Sequence, residues 1–423
     1  MEPLAPRIAS STDHNHDEWL WGWDQTPGIV SVWADASGVA HVWRRLIESG
    51  ELVHETVKFR PWMLLDRLDD LSHLGPNLGI DGNAAAAVTY RELEGPGALR
   101  FLVSAANGRN LVRSVLHGAS RRLGRSVEQI RELGKESVLI LPPEEQYLVA
   151  SGRTYFRGLD FDHLRRLQLD LETTGLDPDR SRMFMVAIGH PSGRTEVLEA
   201  TGPGDAAEAA LISRLVATIV EADPDVIENH NLYGFDLPFL ERRARAVGVP
   251  LPLGRLPELG LKQRAARRGS GDRQRIRFVI PGRELIDTLD AVRRFDFATR
   301  ELPGHGLKAV ARHLRIAKPD REYLRGDQIY QTFRTDPERV RRYATGDVEE
   351  VAGLARMLGG AAFALATMAP RRYERLADAG AATGVIDPLL VRAYLHAGHA
   401  LPAHEPGDGT PHSGAALHLF ASG

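Results

Sequence analysis

Apolar and polar residues alternate through Leu167-Gln168-Leu169-Asp170-Leu171-Glu172, and the alternation stops at Thr173-Thr174-Gly175. Period two marks a strand, with Leu167, Leu169 and Leu171 on one face and Asp170 and Glu172 on the other. Residues 183–189 and 195–199 read as two more strands around the turn Pro191-Ser192-Gly193, predicting an antiparallel meander. A helical period follows over residues 206–221, with Leu211, Ile212, Leu215, Val216, Ile219 and Val220 along one side. Residues 225–228 predict a short buried strand, and a helix over 237–247 starts with Asp236 at its N-cap. Residues 273–280 alternate again, setting Arg273, Arg275 and Arg277 against Ile276, Phe278 and Ile280. A strand is expected at 284–289 and a helix at 307–314. Asp336-Pro337 opens a long helix to about Leu358, on which Tyr343 and Asp347 share a face one turn apart. Helices at 361–379, kinked or split by Pro370, and at 388–397 complete this half.

The first half has shorter elements. Residues 29–33 and 39–45 predict a hairpin around Asp35-Ala36-Ser37-Gly38, followed by a strand near 55–65 with an edge or bend at Pro61. Strands at 86–90 and 99–105 precede a helix over 109–123. All six tryptophans fall within the first 62 residues, where core packing is favoured over base stacking. The expected organisation is a loose tail (1–17), an α+β domain (18–160), an α/β domain (161–360), and a helical segment with a flexible end (361–423).

Composition narrows the function classes. The 423 residues are 43% hydrophobic and 26% charged, as in a soluble globular protein of two or more domains. A net charge of −3 excludes a generally basic nucleic-acid binder, so any such surface is a local patch. The absence of cysteine excludes disulfides and thiolate metal sites. No apolar run reaches membrane-spanning length and the polar start is not a secretory signal, so a cytoplasmic protein with no membrane partner is expected. No G-x-G-x-x-G follows a strand, and the 16 histidines show no zinc spacing.

The acids carry the candidate chemistry. Two carboxylates one pleat apart raise each other's pKa unless a cation neutralises them, and oxygen ligands of this kind suit magnesium or manganese. Asp236 stands at a strand-to-helix junction, and Asp347 lies beside Val348 and Val351 on an apolar helix face. Each acid has a plain structural role open to it as well: a solvated strand face, a helix cap, a helix surface. Asp347 fits that role least, because a buried carboxylate needs a partner.

In chain order, Asp170-x-Glu172-Thr173-x-Gly175, Asn231-x-x-x-Phe235-Asp236 and Tyr343-x-x-x-Asp347 resemble the three exonuclease motifs of family B DNA polymerases. Residues 281–287 and 306–311 resemble the family's connecting segments, and Gly22-Trp23-Asp24 with Phe59-Arg60-Pro61-Trp62 is more loosely similar to its N-terminal domain. The resemblance implies a ribonuclease-H-like fold and a proofreading 3′→5′ exonuclease of the tyrosine subclass, using two Mg2+ or Mn2+ ions. It implies that Asp170, Glu172 and Asp347 hold the ion that delivers water. Asp170 would bridge to the second ion with Asp236 in support, and Tyr343 and Glu172 would orient the water. Thr173, Asn231 and Phe235 are expected at the 3′-terminal nucleotide, and the Arg273, Arg275 and Arg277 stripe is read either as a contact for the nucleic-acid backbone or as a solvated strand edge protected by charge. The implied partner is single-stranded DNA or a DNA 3′ end. The chain carries none of the palm motifs, so polymerase activity is not expected from it alone. Two alternatives stay open: an exonuclease acting on RNA, and a non-catalytic DNA-binding half of a split polymerase that pairs with a separate polymerase-domain chain.

Overall fold

The computed structural model describes residues 17–264, 276–380 and 382–403. Contacts gather these residues into two units, one built from residues up to 61 together with 142–397, the other from 62–141 together with the segment from 398 onward.

The first unit is organised by a five-stranded sheet in the order Thr195–Glu199, Met183–Gly189, Arg166–Thr173, Val226–Asn229, Glu284–Asp287. The first three strands form the expected antiparallel meander, and the last two run parallel to Arg166–Thr173. Both faces are covered. Leu167, Leu169 and Leu171, with Val186 and Ile188, pack on Leu211, Ile212, Leu215 and Ile219 of the helix Asp205–Ala222 and on Leu237 and Leu240 of Asp236–Ala246. On the other face Met185 and Ala187 pack on Val340, Tyr343, Ala344 and Val348 of the helix Pro337–Leu358. Asp170 pairs with Ala187 and Glu172 with Met185. Residues directly opposite in a sheet share a face, so both carboxylates look toward the long helix.

That helix begins as its sequence predicts, with the Asp336 side chain accepting the Arg339 N–H at 3.2 Å and proline in the first turn. The 361–379 helix is split around Pro370 into Gly360–Ala366 and Tyr373–Ala377. Other expectations need correction. Asp236 is not an N-cap: Phe235 holds that position, and Asp236 is the first residue of the helix. The 284–289 strand ends at Asp287, whose carboxylate caps an unforeseen helix, Thr288–Thr299, by accepting the Leu289 N–H at 3.0 Å. The helix Pro143–Ser151 is also unforeseen, because nearly all of it is buried and no amphipathic period exists to be read. Of the 273–280 strand, only Arg277–Val279 is formed, paired antiparallel with Lys262–Arg264; Arg273 and Arg275 lie outside the described residues.

An antiparallel three-stranded sheet, Ile29–Ala34, Val39–Arg45 and Leu52–Lys58, belongs to this unit. The 55–65 strand is broken before Pro61, and Trp62–Leu65 joins a different sheet. Trp43 and Trp62 are buried, whereas Trp19 and Trp21 are exposed.

The second unit is a five-stranded sheet in the order Leu78–Ile80, Val88–Glu92, Phe101–Ala105, Trp62–Leu65, Val138–Leu139. The helix Gly108–Leu123 packs on it through Leu111 and Val115, with the Asn107 side chain capping its start.

Candidate metal centre

Three parallel strands bring their carboxyl ends to one edge of the sheet, the usual position for a site in an open α/β sheet. Arg166–Thr173 contributes Asp170 and Glu172, Val226–Asn229 contributes Asn229, and Glu284–Asp287 contributes Asp287. The long helix brings Asp347 down onto this edge. Oxygens of Asp170, Glu172 and Asp347 lie within 4.8 Å of one another. Asp236 completes a group of four acids: it is 2% exposed, and the nearby Asn229 amide and Leu171 backbone only partly offset the rise in its pKa. The same Asn229 amide donates to Asp170 Oδ1 at 3.3 Å.

Crowding and burial set the electrostatics. The Asp170 carboxyl is pushed up to about 7, by burial first and then by Asp347. Burial, followed by Asp170 and Asp347, drives Glu172 well above the ordinary carboxylate range. Asp236 rises well above it too, by burial and then by Asp170. Glu172 Oε1 and Asp236 Oδ1 are buried without a hydrogen-bond partner. Buried acceptors normally find one, so these orphaned oxygens, with Asp170 and Asp347, are a donor set that fits a hard divalent cation.

Two cations neutralise part of this charge. Lys308 Nζ donates to Asp347 Oδ2 at 3.2 Å and stands 4.5 Å over the Tyr343 ring. Arg321 donates through Nη2 to Asp347 Oδ1 and through Nε to Glu350 Oε1 at 2.9 Å. Its guanidinium lies flat on the long helix because Gly346 has no side chain; a Cβ there would stand 2.5 Å from Arg321 Cζ. Tyr343 is 4% exposed, and burial together with Asp347, Glu172 and Asp170 pushes its phenol far above its ordinary value. The phenol is therefore a proton donor throughout the working pH range.

The turn after Val226–Asn229 is built by Asp287, which accepts the N–H groups of Asn231 at 2.8 Å and Tyr233 at 3.3 Å. Asn231 adopts a left-handed backbone (φ 69°), and a Cβ at Gly234 would stand 2.1 Å from Asn231 Oδ1. Phe235 is partly buried against Phe239, with ring centroids 5.4 Å apart. The Thr173 hydroxyl donates to the Gly175 carbonyl at 2.7 Å, so it closes the turn after the strand. Arg277 is turned inward: it binds Asp290 at 2.9 Å and Asp378 at 2.7 Å, and lies over the Tyr233 ring. The structure thus brings Asp170, Glu172, Asp236, Tyr343 and Asp347 together and leaves Arg277 elsewhere, engaged with acids of its own. Asn229, Lys308, Arg321 and Glu350 were missed from sequence. Only Lys308 had a signal, its place in the 306–311 segment.

Comparison with known proteins agrees with this geometry. Residues 167–356 match the RNase H superfamily. DNA polymerase 2 of Aeropyrum pernix is 30% identical over 203 residues, 45% of this chain and 23% of that protein. DNA polymerase 1 of Pyrococcus abyssi is 29% identical over 223 residues, 49% of this chain and 26% of that protein. Among solved structures, the family B DNA polymerase from the hyperthermophilic archaeon Pyrobaculum calidifontis superposes with a TM-score of 0.69 at 23% identity, over 92% of this chain and 53% of that one. The chain matches about a quarter of the length of these curated relatives. Residues 167–356 are accordingly a ribonuclease-H-like domain, in a chain related to the archaeal family B DNA polymerases.

Proposed function

We propose that residues 161–360 are a metal-dependent 3′→5′ exonuclease domain that hydrolyses phosphodiester bonds at the ends of single-stranded or frayed DNA. The observation that carries this reading is the convergence of Asp170, Glu172 and Asp347 within 4.8 Å beside the buried Asp236. Like charges this close are costly without a cation between them. Asp170, Glu172 and Asp347 would hold one Mg2+ or Mn2+, and Asp170 with Asp236 a second. Such ions, when bound, make hydroxide available near neutral pH and stabilise charge on the reacting phosphate oxygens.

The remaining steps belong to side chains of the chain itself. Tyr343, fixed as a donor, orients the attacking water against Glu172. Lys308 and Arg321 hold the Asp347 carboxylate in place against the repulsion of its neighbours. Asn231 and Phe235, set by the Asp287-bound turn, receive the terminal nucleotide, and Thr173 shapes the turn beside them.

A 3′-labelled deoxyribo-oligonucleotide incubated with the protein and magnesium is expected to shorten from its 3′ end, and Asp170→Ala to abolish this. No shortening, or shortening that survives Asp170→Ala, overturns the reading. Faster loss of a ribo-oligonucleotide would move the substrate to RNA, and binding without turnover would make the chain the DNA-holding half of a split polymerase.

A further inference from the structure

From Gly95 to Val127 the chain holds six arginines and no acid, although acids otherwise recur every seven or eight residues (56 in 423). Four of the six, Arg109, Arg113, Arg121 and Arg122, lie on the helix Gly108–Leu123 of the second unit. One side of this helix is spent on packing: Leu111, Val115, Gly118 and Ala119 are buried. The fit there is so close that a Cβ at Gly118 would stand 1.7 Å from the Asp70 carbonyl oxygen. The opposite side carries Arg109, Arg113 and His117, four residues apart and all exposed.

Three of the arginines in this run are neutralised locally, Arg100 by Glu92 at 3.8 Å, Arg122 by Asp70 at 2.7 Å and Arg125 by Glu132 at 3.1 Å. Arg109, Arg113 and Arg121 make no ion pair with any described residue. Their field reaches a neighbour. The His73 imidazole, 4.7 Å edge-on from His117, is held below its ordinary pKa by burial and by His117 and Arg121. A groove of about 380 Å3 runs along this side, with Arg109, Arg113 and His117 over a floor of Val112, Leu116 and Val127. Ser120 fixes its wall, donating to the Leu116 carbonyl at 2.7 Å and accepting the Val127 N–H at 2.9 Å.

Unneutralised arginines one helical turn apart, about 6 Å along the axis, suit a repeating anion. The groove is lined by no Phe, Tyr or Trp on which successive bases could stack, so contact would be to the backbone and not to base identity. We propose that the Arg109–Arg113–His117 face is a nucleic-acid contact separate from the acidic cup, holding the phosphodiester backbone of single-stranded DNA without reading its sequence.

The test uses the full chain in EDTA, so that binding is measured without turnover and stands whether or not the cup cuts. Anisotropy of a fluorescein-labelled oligothymidylate is titrated between about 50 and 200 mM salt. Each backbone contact contributes about 0.7 to the slope of log affinity against log salt. R109A/R113A should therefore flatten the slope by about 1.4, with an unchanged melting temperature, while R109K/R113K should keep the wild-type slope. Wild-type protein should not bind an uncharged peptide-nucleic-acid strand of the same sequence. An unchanged slope in R109A/R113A, or equal binding of the uncharged strand, overturns the proposal. So does a result in which these substitutions weaken binding to anionic phosphatidylglycerol vesicles and leave the oligonucleotide unaffected.

Discussion

Arg321 is the buried counter-charge of Asp347: its guanidinium holds one Asp347 oxygen and, through Nε, Glu350 at 2.9 Å, with all three side chains almost fully enclosed. One cation thus ties two acids of the same helix, a turn apart, to the segment that precedes the helix Ile329–Thr335. Removing one partner of such a group leaves uncompensated charge in the interior. Arg321→Ala is expected to cost about 3–5 kcal/mol, read as a lower urea midpoint, and magnesium should recover part of the loss by binding the freed Asp347.

Gly346→Ala places a methyl where the Arg321 guanidinium now lies, 2.5 Å from Cζ. Alanine favours a helix over glycine by about 1 kcal/mol, yet overpacking costs about 1–3 kcal/mol. Net destabilisation is expected by thermal melting. A stabilised variant would mean that the arginine moves aside freely.

Asp170→Asn removes one charge from the crowded cup. In EDTA its melting temperature should rise by a few degrees over wild type, whereas the increase that magnesium gives the wild type should shrink. Nuclease activity should fall by about 10³-fold or more, since several kcal/mol of transition-state stabilisation depend on the ions. A metal-dependent shift as large as that of wild type would remove Asp170 from the ligand set.

The pH dependence follows from the same crowding. Asp170 titrates near 3.8 when unfolded and at about 7 when folded, so between these values the folded protein binds more protons than the unfolded chain. The contribution of this carboxyl to metal-free stability is therefore fully present below about pH 4 and is lost as pH rises toward 7. Glu172 and Asp236, raised in the same direction, add to the decline. Saturating magnesium should flatten the curve, because it stabilises the ionised forms. Melting curves across this range, with and without metal, check both signs.

Tyr343→Phe keeps the ring between Lys308 and Arg321 and deletes only the phenolic donor. Turnover should drop by about 10²-fold, as for loss of one positioned donor, with the magnesium-induced rise in melting temperature retained. Loss of that rise would instead assign the hydroxyl to holding the site together.

The parts of the molecule open to reading from sequence were those dictated by local pattern. Leu167, Leu169 and Leu171 alternate because one face of their strand is dry, and Asp336-Pro337 marks a helix start by its own chemistry. The helix Pro143–Ser151 was silent because nearly every side of it is buried. Arg321 was equally silent, and Lys308 was marked only by its place in the 306–311 segment: a long cation does not announce which distant acid it will meet. Asp236 was misread as a cap because the helix starts one residue early, with Phe235 in the cap position and Asp236 turned into the buried acid cluster. The acid-free run before Glu128 is visible in the residues, but local pattern there predicts only a helix over 109–123.

The pairing of Asp170 with Ala187 and of Glu172 with Met185 gives one strand two incompatible duties at alternate positions, greasing one layer and arming the other. Parity alone keeps them apart. Inserting a single residue between positions 166 and 169 would invert that parity for everything downstream, sending carboxylates into the hydrocarbon layer and leucines into the cup. This segment therefore tolerates no change of length, whereas the turn Pro191-Ser192-Gly193 lies outside the ladder and is free to grow.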